Sequence, residues 1–184
     1  PEDMLVGTSD RWPCDPVAIP EPAVPEASAA QMAAMLSAAE KPVLLVGGPR
    51  WKADSARALE GFAVSNDVPV VAAFRFHDII DNHCPSFVGD AGVAMNSYMK
   101  DLLREADLIV AINIRFGEST TDGYSLFDAP KMAAKLVHSH ASDDEIGKIY
   151  APDLPIHAGP NTMAGVLASI SLPESKARNA WRDA

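Results

Sequence analysis

Apolar residues along the chain recur with two periods. Met32, Met35, Leu36 and Ala39 fall at helical spacing, and Ser28 with Gln31 forms a capping-box pattern, so the first helix is expected to open at Ser28. Pro42–Val46 is then apolar at every position and ends in Gly47-Gly48. A short run without alternation suits a strand covered on both faces in a parallel sheet. Residues 54–66 return to helical spacing through Ala56, Leu59, Phe62 and Ala63, and residues 68–73 read as a second strand. Met95, Met99, Leu102, Leu103 and Ala106 mark a further helix over residues 95–106. Leu108–Ile112, residues 135–139 and Leu154–His157 read as the third, fourth and fifth strands. Ser142 with Glu145 is a second capping-box pattern, opening a short helix. Met163, Val166, Leu167 and Ile170 define the last helix.

A helix followed by strands alternating with helices implies βαβ units and right-handed crossovers. The predicted fold is α/β: a doubly wound, Rossmann-like parallel sheet of five or six strands with helices on both faces. In such a sheet ligands bind in the crevice beyond the carboxyl ends of the strands. The flanks differ from this globule, which spans residues 28–172. Residues 1–27 carry Pro1, Pro13, Pro16, Pro20, Pro22 and Pro25. Proline fixes φ and removes a donor, so this stretch is expected to be neither helix nor central strand but an extended interdomain linker. Residues 173–184 are charged and are expected to fray, leading on to a further domain. The chain begins with Pro rather than Met, which suggests a piece of a longer protein.

With 184 residues, 48% hydrophobic and 22% charged, the chain suits one globular domain. Its formal net charge of -10, without a basic stripe, argues against nucleic acid and anionic membrane as partners. No apolar run has membrane-spanning length. Cys14 and Cys84 form no CxxC pair, so no disulfide framework or zinc site is expected and a cytoplasmic location is the default.

Several positions could carry chemistry. Gly47-Gly48-Pro49-Arg50 follows the first strand; it is either a close approach to a nucleotide or a tight strand-to-helix turn, and it matches neither GxGxxG nor a P-loop. Gly89-Asp90-Ala91-Gly92 precedes the third helix, where exposed N–H groups favour phosphate, or else it is a loop that needs positive φ. Asn113-Ile114-Arg115-Phe116-Gly117 ends the third strand. Arg115 there could pair with a phosphate or carboxylate, or with Glu118 or Asp122. His138 and His140 flank Ser139 and should share one face of the fourth strand. They, and His77 and His83 with Asp78 and Asp81, read better as structural residues than as metal ligands. No GxSxG or HExxH motif occurs.

Taken in order, KPVLLVGG, DVPVVAAF, FVGDAG, EADLIVAINIRFGE, KLVHSHASDDEIGK and DLPIHAGP resemble the central domain of thiamine-diphosphate enzymes such as acetolactate synthase, pyruvate oxidase, glyoxylate carboligase and oxalyl-CoA decarboxylase. The resemblance covers about residues 40–170. It implies a parent enzyme that decarboxylates or carboligates a 2-oxo acid, with an N-terminal pyrimidine-binding domain and a C-terminal domain holding the diphosphate through Mg²⁺. It also implies a homodimeric or homotetrameric parent. Thiamine diphosphate and Mg²⁺ would then be bound by those domains and not by this chain, which has no catalytic residue of its own. The resemblance leaves FAD, ADP or no ligand open for the central domain. Carried over by position, the cofactor-facing residues are Gly47, Gly48, Arg50, Gly89, Gly92, Asn113, Arg115, Phe116, Ser139 and His140. FAD-binding members of the family carry Gly where this chain has Asn113, and Asp-x-Asp in the neighbourhood of Ser139-His140-Ala141-Ser142. The resemblance therefore implies a structural domain or one with a weak nucleotide site. A free-standing nucleotide- or flavin-binding domain, such as an electron-transfer flavoprotein half or a sirtuin-like deacylase, is the competing expectation.

Overall fold

The computed structural model describes residues 2–8, 10, 15 and 17–183. Its centre is a six-stranded, all-parallel sheet: β1 Pro42–Val46, β2 Val70–Ala73, β3 Phe87–Ala91, β4 Leu108–Ile112, β5 Lys135–His140 and β6 Leu154–His157. The strands lie in the order β3-β2-β1-β4-β5-β6. Among the described residues six α-helices accompany them: α1 Glu2–Leu5, α2 Glu26–Ala38, α3 Ala53–Ser65, α4 Ser97–Glu105, α5 Pro160–Ala168 and α6 Lys176–Asp183.

The unbroken apolar runs have a direct structural cause. Alternate residues of a strand point to opposite faces, and here both faces are covered. Leu44 and Val46 of β1 and Val110 and Ile112 of β4 pack beneath α2, α3 and α5, through Leu36, Leu59, Phe62, Met163 and Leu167. Val43 and Leu45, with Ile109 and Ala111, face the opposite layer of Met99 and Leu103 on α4 and Trp181 on α6. Each such buried aliphatic side chain contributes about 1.5–3 kcal/mol relative to exposure. β1 is paired with β4 along its whole length and with β2 from Leu44 to Val46.

Five expectations change. Residues 87–91 form edge strand β3 rather than a loop, paired to β2 through a register shift at Val70/Val71. Helix α2 starts at Glu26, not at Ser28: Pro25 holds an extended backbone and its carbonyl accepts the first helical bond from Ala29 (2.9 Å). The Ser142 pattern opens only a 3-10 turn, Asp143–Glu145, with no side-chain cap. The segment after Pro173 is not frayed. Helix α6 docks at the amino end of the sheet, where Trp181 Nε1 donates to the Pro42 carbonyl (3.1 Å) and the Arg178 guanidinium donates to the carbonyls of Asn66 and Pro173. Within residues 1–27, one turn of helix occupies the proline-free stretch Glu2–Leu5, whereas residues 17–25 hold neither helix nor strand. Cys14 lies outside the described residues, and Cys84 is a free thiol.

Candidate functional site

The strand order reverses direction between β1 and β4. After β1 the chain enters α3, on one face. After β4 it passes through Ile114, Phe116 and Leu126 on the other face. Divergent connections leave a crevice at the carboxyl ends of the two central strands, the switch point where doubly wound sheets take ligands. A cavity of about 330 Å³ opens there, lined among others by Gly48, Phe74, Phe76, Asn113, Arg115, Thr120 and His140. A second, of about 290 Å³, adjoins it and is lined by Arg115, Phe116, Tyr124, Glu145 and Lys148.

Asn113 dominates the first cavity. It is 3% exposed and holds a left-handed backbone, φ +56°. Its amide nitrogen donates to the carbonyls of Pro49 (3.0 Å) and Gly47 (3.4 Å), and its backbone N–H donates to the Ser139 carbonyl (2.7 Å). The turn after β1 is thus stapled to the end of β4. Gly48 has φ +68°, and a Cβ on it would strike the Asn113 carbonyl and side chain. The space this glycine leaves is taken by Asn113 rather than offered to a ligand. Gly47 is also engaged, its N–H with the Ile112 carbonyl (3.1 Å) and its carbonyl with Trp51 Nε1 (2.8 Å). A tightly held pyrophosphate needs a free glycine turn, and this turn does not fit one.

The other proposed contacts divide. His140 and Arg115 reach the crevice. Arg115 is 73% exposed on its side chain and pairs with Glu145 at 3.4 Å rather than with Glu118 or Asp122; the latter binds Lys100 (2.6 Å). Two cations, Arg115 and Lys148, lower the Glu145 carboxyl against the opposing effect of burial. Phe116 is buried and stands edge-on to the rings of His138 (5.1 Å) and Tyr150 (5.2 Å). Ser139 is fully buried, its hydroxyl donating to the Ala158 carbonyl (3.2 Å). Gly89 lies within β3 against Met99 and Tyr98 of α4, and Gly92 lies against Phe74; neither lines either cavity. Helix α4 begins at Ser97 with Asn96 as its cap, so the Gly89–Gly92 stretch does not feed a helix amino terminus. Arg50 turns away from the crevice, and its guanidinium donates to the Ile19 carbonyl (3.1 Å).

His138 and His140 share a face, ring centres 6.4 Å apart. His138 Nε2 donates to the Ile114 carbonyl (3.1 Å), which leaves Nδ1 a buried lone pair with no partner. Burial pushes its pKa down to about 4, against the raising effect of the Ile114 bond. His140 Nδ1 accepts from Ser142 N (3.0 Å), and burial lowers its pKa too. Among the described residues no group of three or more His, Cys, Asp or Glu could hold a metal ion.

Sequence reasoning missed Glu21, Asn161 and Thr162. The Glu21 carboxylate accepts from the backbone N–H groups of Asn161 (3.1 Å) and Thr162 (3.3 Å) and from the Asn161 amide. Gly159-Pro160 opening α5 marks a helix start with bare N–H groups, but a capping acid 140 residues away has no local signature.

Comparison with known proteins agrees with this architecture. The family described as "Thiamine pyrophosphate enzyme, central domain" matches residues 29–167. The chain is 32% identical to the acetolactate synthase large subunit of Corynebacterium glutamicum over 68% of this chain and 20% of that protein. It is 26% identical to the acetolactate synthase isozyme 2 large subunit of Escherichia coli K12, over 81% of this chain and 27% of the relative. With glyoxylate carboligase of Escherichia coli O157:H7 it shares 26% identity over 89% of its own length and 27% of the relative's. The chain thus spans less than a third of these relatives.

Proposed function

Since the chain belongs to the thiamine pyrophosphate enzyme central-domain family, we propose that it is the non-catalytic central module of an acetolactate synthase-like 2-oxo acid decarboxylase or carboligase. Its role is structural, and its crevice keeps a vestigial FAD or ADP site. The observation that carries this reading is the Asn113 staple, which spends the polar groups of the turn after β1 on the protein itself. The relatives support the parent reaction, two by the name acetolactate synthase and one by glyoxylate carboligase.

In this reading thiamine diphosphate supplies the carbanion chemistry in the parent enzyme. The pyrimidine-binding and Mg²⁺-diphosphate-binding domains hold it, and the parent is a homodimer or homotetramer in the cytoplasm. No step of the reaction is assigned to this chain. What it contributes is a rigid parallel sheet between its neighbours.

Calorimetric titration tests the crevice. FAD and ADP are expected to bind more weakly than about 1 μM, that is with less than about 8 kcal/mol of binding free energy. Binding of either at micromolar affinity or better overturns the vestigial reading. A second reading, a free-standing flavin-binding domain, draws on the open 330 Å³ cavity at the switch point; it predicts a yellow protein as purified.

A further inference from the structure

The proline-rich segment ahead of α2 is fastened to the globule at two places. Glu21 reaches the amino end of α5 and accepts from the N–H groups of Asn161 and Thr162 and from the Asn161 side-chain amide. The next residue, Pro22, offers its carbonyl to the Thr162 hydroxyl (2.9 Å) and to Gly159 N (3.4 Å). A carboxylate suits this spot, because the first N–H groups of a helix lack internal partners and carry positive partial charge. On the other side, Arg50 donates to the Ile19 carbonyl.

Asn161 joins this clasp to the crevice. Its side-chain amide also donates to the Arg50 carbonyl (2.9 Å), and its side-chain oxygen accepts from Lys52 N (2.8 Å) at the opening of α3. Arg50 and Lys52 belong to the turn that Asn113 staples at Gly47 and Pro49. A continuous set of hydrogen bonds therefore runs from the linker through Asn161 to the turn that floors the switch-point cavity.

We propose that residues 19–22 form a strap, latched by Glu21, that holds the turn after β1 in its closed, Asn113-stapled arrangement. Pulling the linker away releases Asn161, then Lys52 N, and loosens the crevice floor. Movement of whatever precedes the linker is thereby coupled to the state of the crevice. The inference stands on these hydrogen bonds and not on nucleotide binding, so a failed titration with FAD or ADP leaves it intact.

Two unlike variants of the whole chain remove the latch. Glu21→Ala deletes the carboxylate. Gly159→Ala keeps it but evicts it, because a Cβ on Gly159 would land on the Glu21 side chain, while the backbone of Gly159 (φ -79°, ψ 164°) accepts alanine without strain. Site-resolved amide hydrogen exchange is the readout. Both variants are expected to speed exchange about tenfold or more at Asn161 and Thr162, and at Lys52, which Glu21 does not touch, while β1 and β4 keep wild-type protection. Wild-type exchange at Asn161 and Thr162 would sink the latch. Faster exchange there with an unchanged rate at Lys52 would sink the coupling. If Gly159→Ala fails to fold, Glu21→Gln takes its place; it keeps the shape without the charge and should give a smaller acceleration at the same three amides, a wild-type rate at all three refuting the strap.

Discussion

Asn113 occupies a backbone position that glycine would hold at lower cost, and it repays the strain with two side-chain hydrogen bonds to the turn after β1. A left-handed non-glycine residue costs about 1–3 kcal/mol. Asn113→Ala keeps that strain and loses the bonds, so urea denaturation should show a loss of about 2 kcal/mol. Asn113→Gly removes the strain together with the bonds and should cost clearly less. Equal stability of the two variants would show that backbone strain has no part in the balance. His138 makes a second residue-scale case. It is 1% exposed, and its pKa falls from the ordinary 6.5 to about 4. The unfolded chain then binds a proton that the folded chain refuses. Stability is complete above pH 6.5 and is lost as pH drops towards 4, by up to about 3 kcal/mol. Denaturation midpoints at pH 7.5, 5.5 and 4.5 should show this decline, and His138→Gln should flatten it. At this scale the sequence places Arg115 at the end of a central strand, and the carboxylates near it in the chain are Glu118 and Asp122. The partner is Glu145, carried there by the connection after β5, and nothing local announces it.

Elements were legible where periodicity was strong. The five strands predicted from the pattern are all present: β1, β2 and β4 are apolar and buried at every position, β5 is buried over residues 136–139, and β6 alternates buried with exposed residues. Strand β3 was not predicted: it has one fully buried residue, Ala91, and includes Gly89 and Asp90. Its ladder with β2, rather than its own residues, makes it a strand. Helix α6 escaped for a related reason. Its sequence, KARNAWRD, is mostly polar, and only Arg178 and Trp181 are buried. One indole anchors it, 9% exposed and bonded to the Pro42 carbonyl, with Lys41 Nζ 5.0 Å from the ring centre. Trp181→Ala should therefore lower stability by about 3 kcal/mol and undock the helix, seen as a lower urea midpoint with faster amide exchange confined to residues 176–183. Wild-type protection of those amides in the variant would mean that Arg178 and Arg182 suffice to hold the helix.

At the scale of the molecule, a six-stranded parallel sheet with two helical layers is a scaffold, and its chemistry depends on what the crevice at the strand ends exposes. Here the turn at that crevice is bonded from inside by Asn113 and from outside, through Asn161, to Glu21 of the linker. The sequence by itself determined the fold class, because alternating periods and apolar runs are local properties that survive in any context; the family followed instead from the resemblance of its ordered motifs, KPVLLVGG through DLPIHAGP. It also marked the glycine turn and Arg115 at the proper edge of the sheet. Only the tertiary structure decided that β3 pairs, that α6 docks, that Arg50 serves the linker instead of the crevice, and that Glu21 caps a helix far along the chain. Each of these depends on residues distant in sequence meeting in space, and a hydrogen bond across such a distance leaves no periodic trace in the chain.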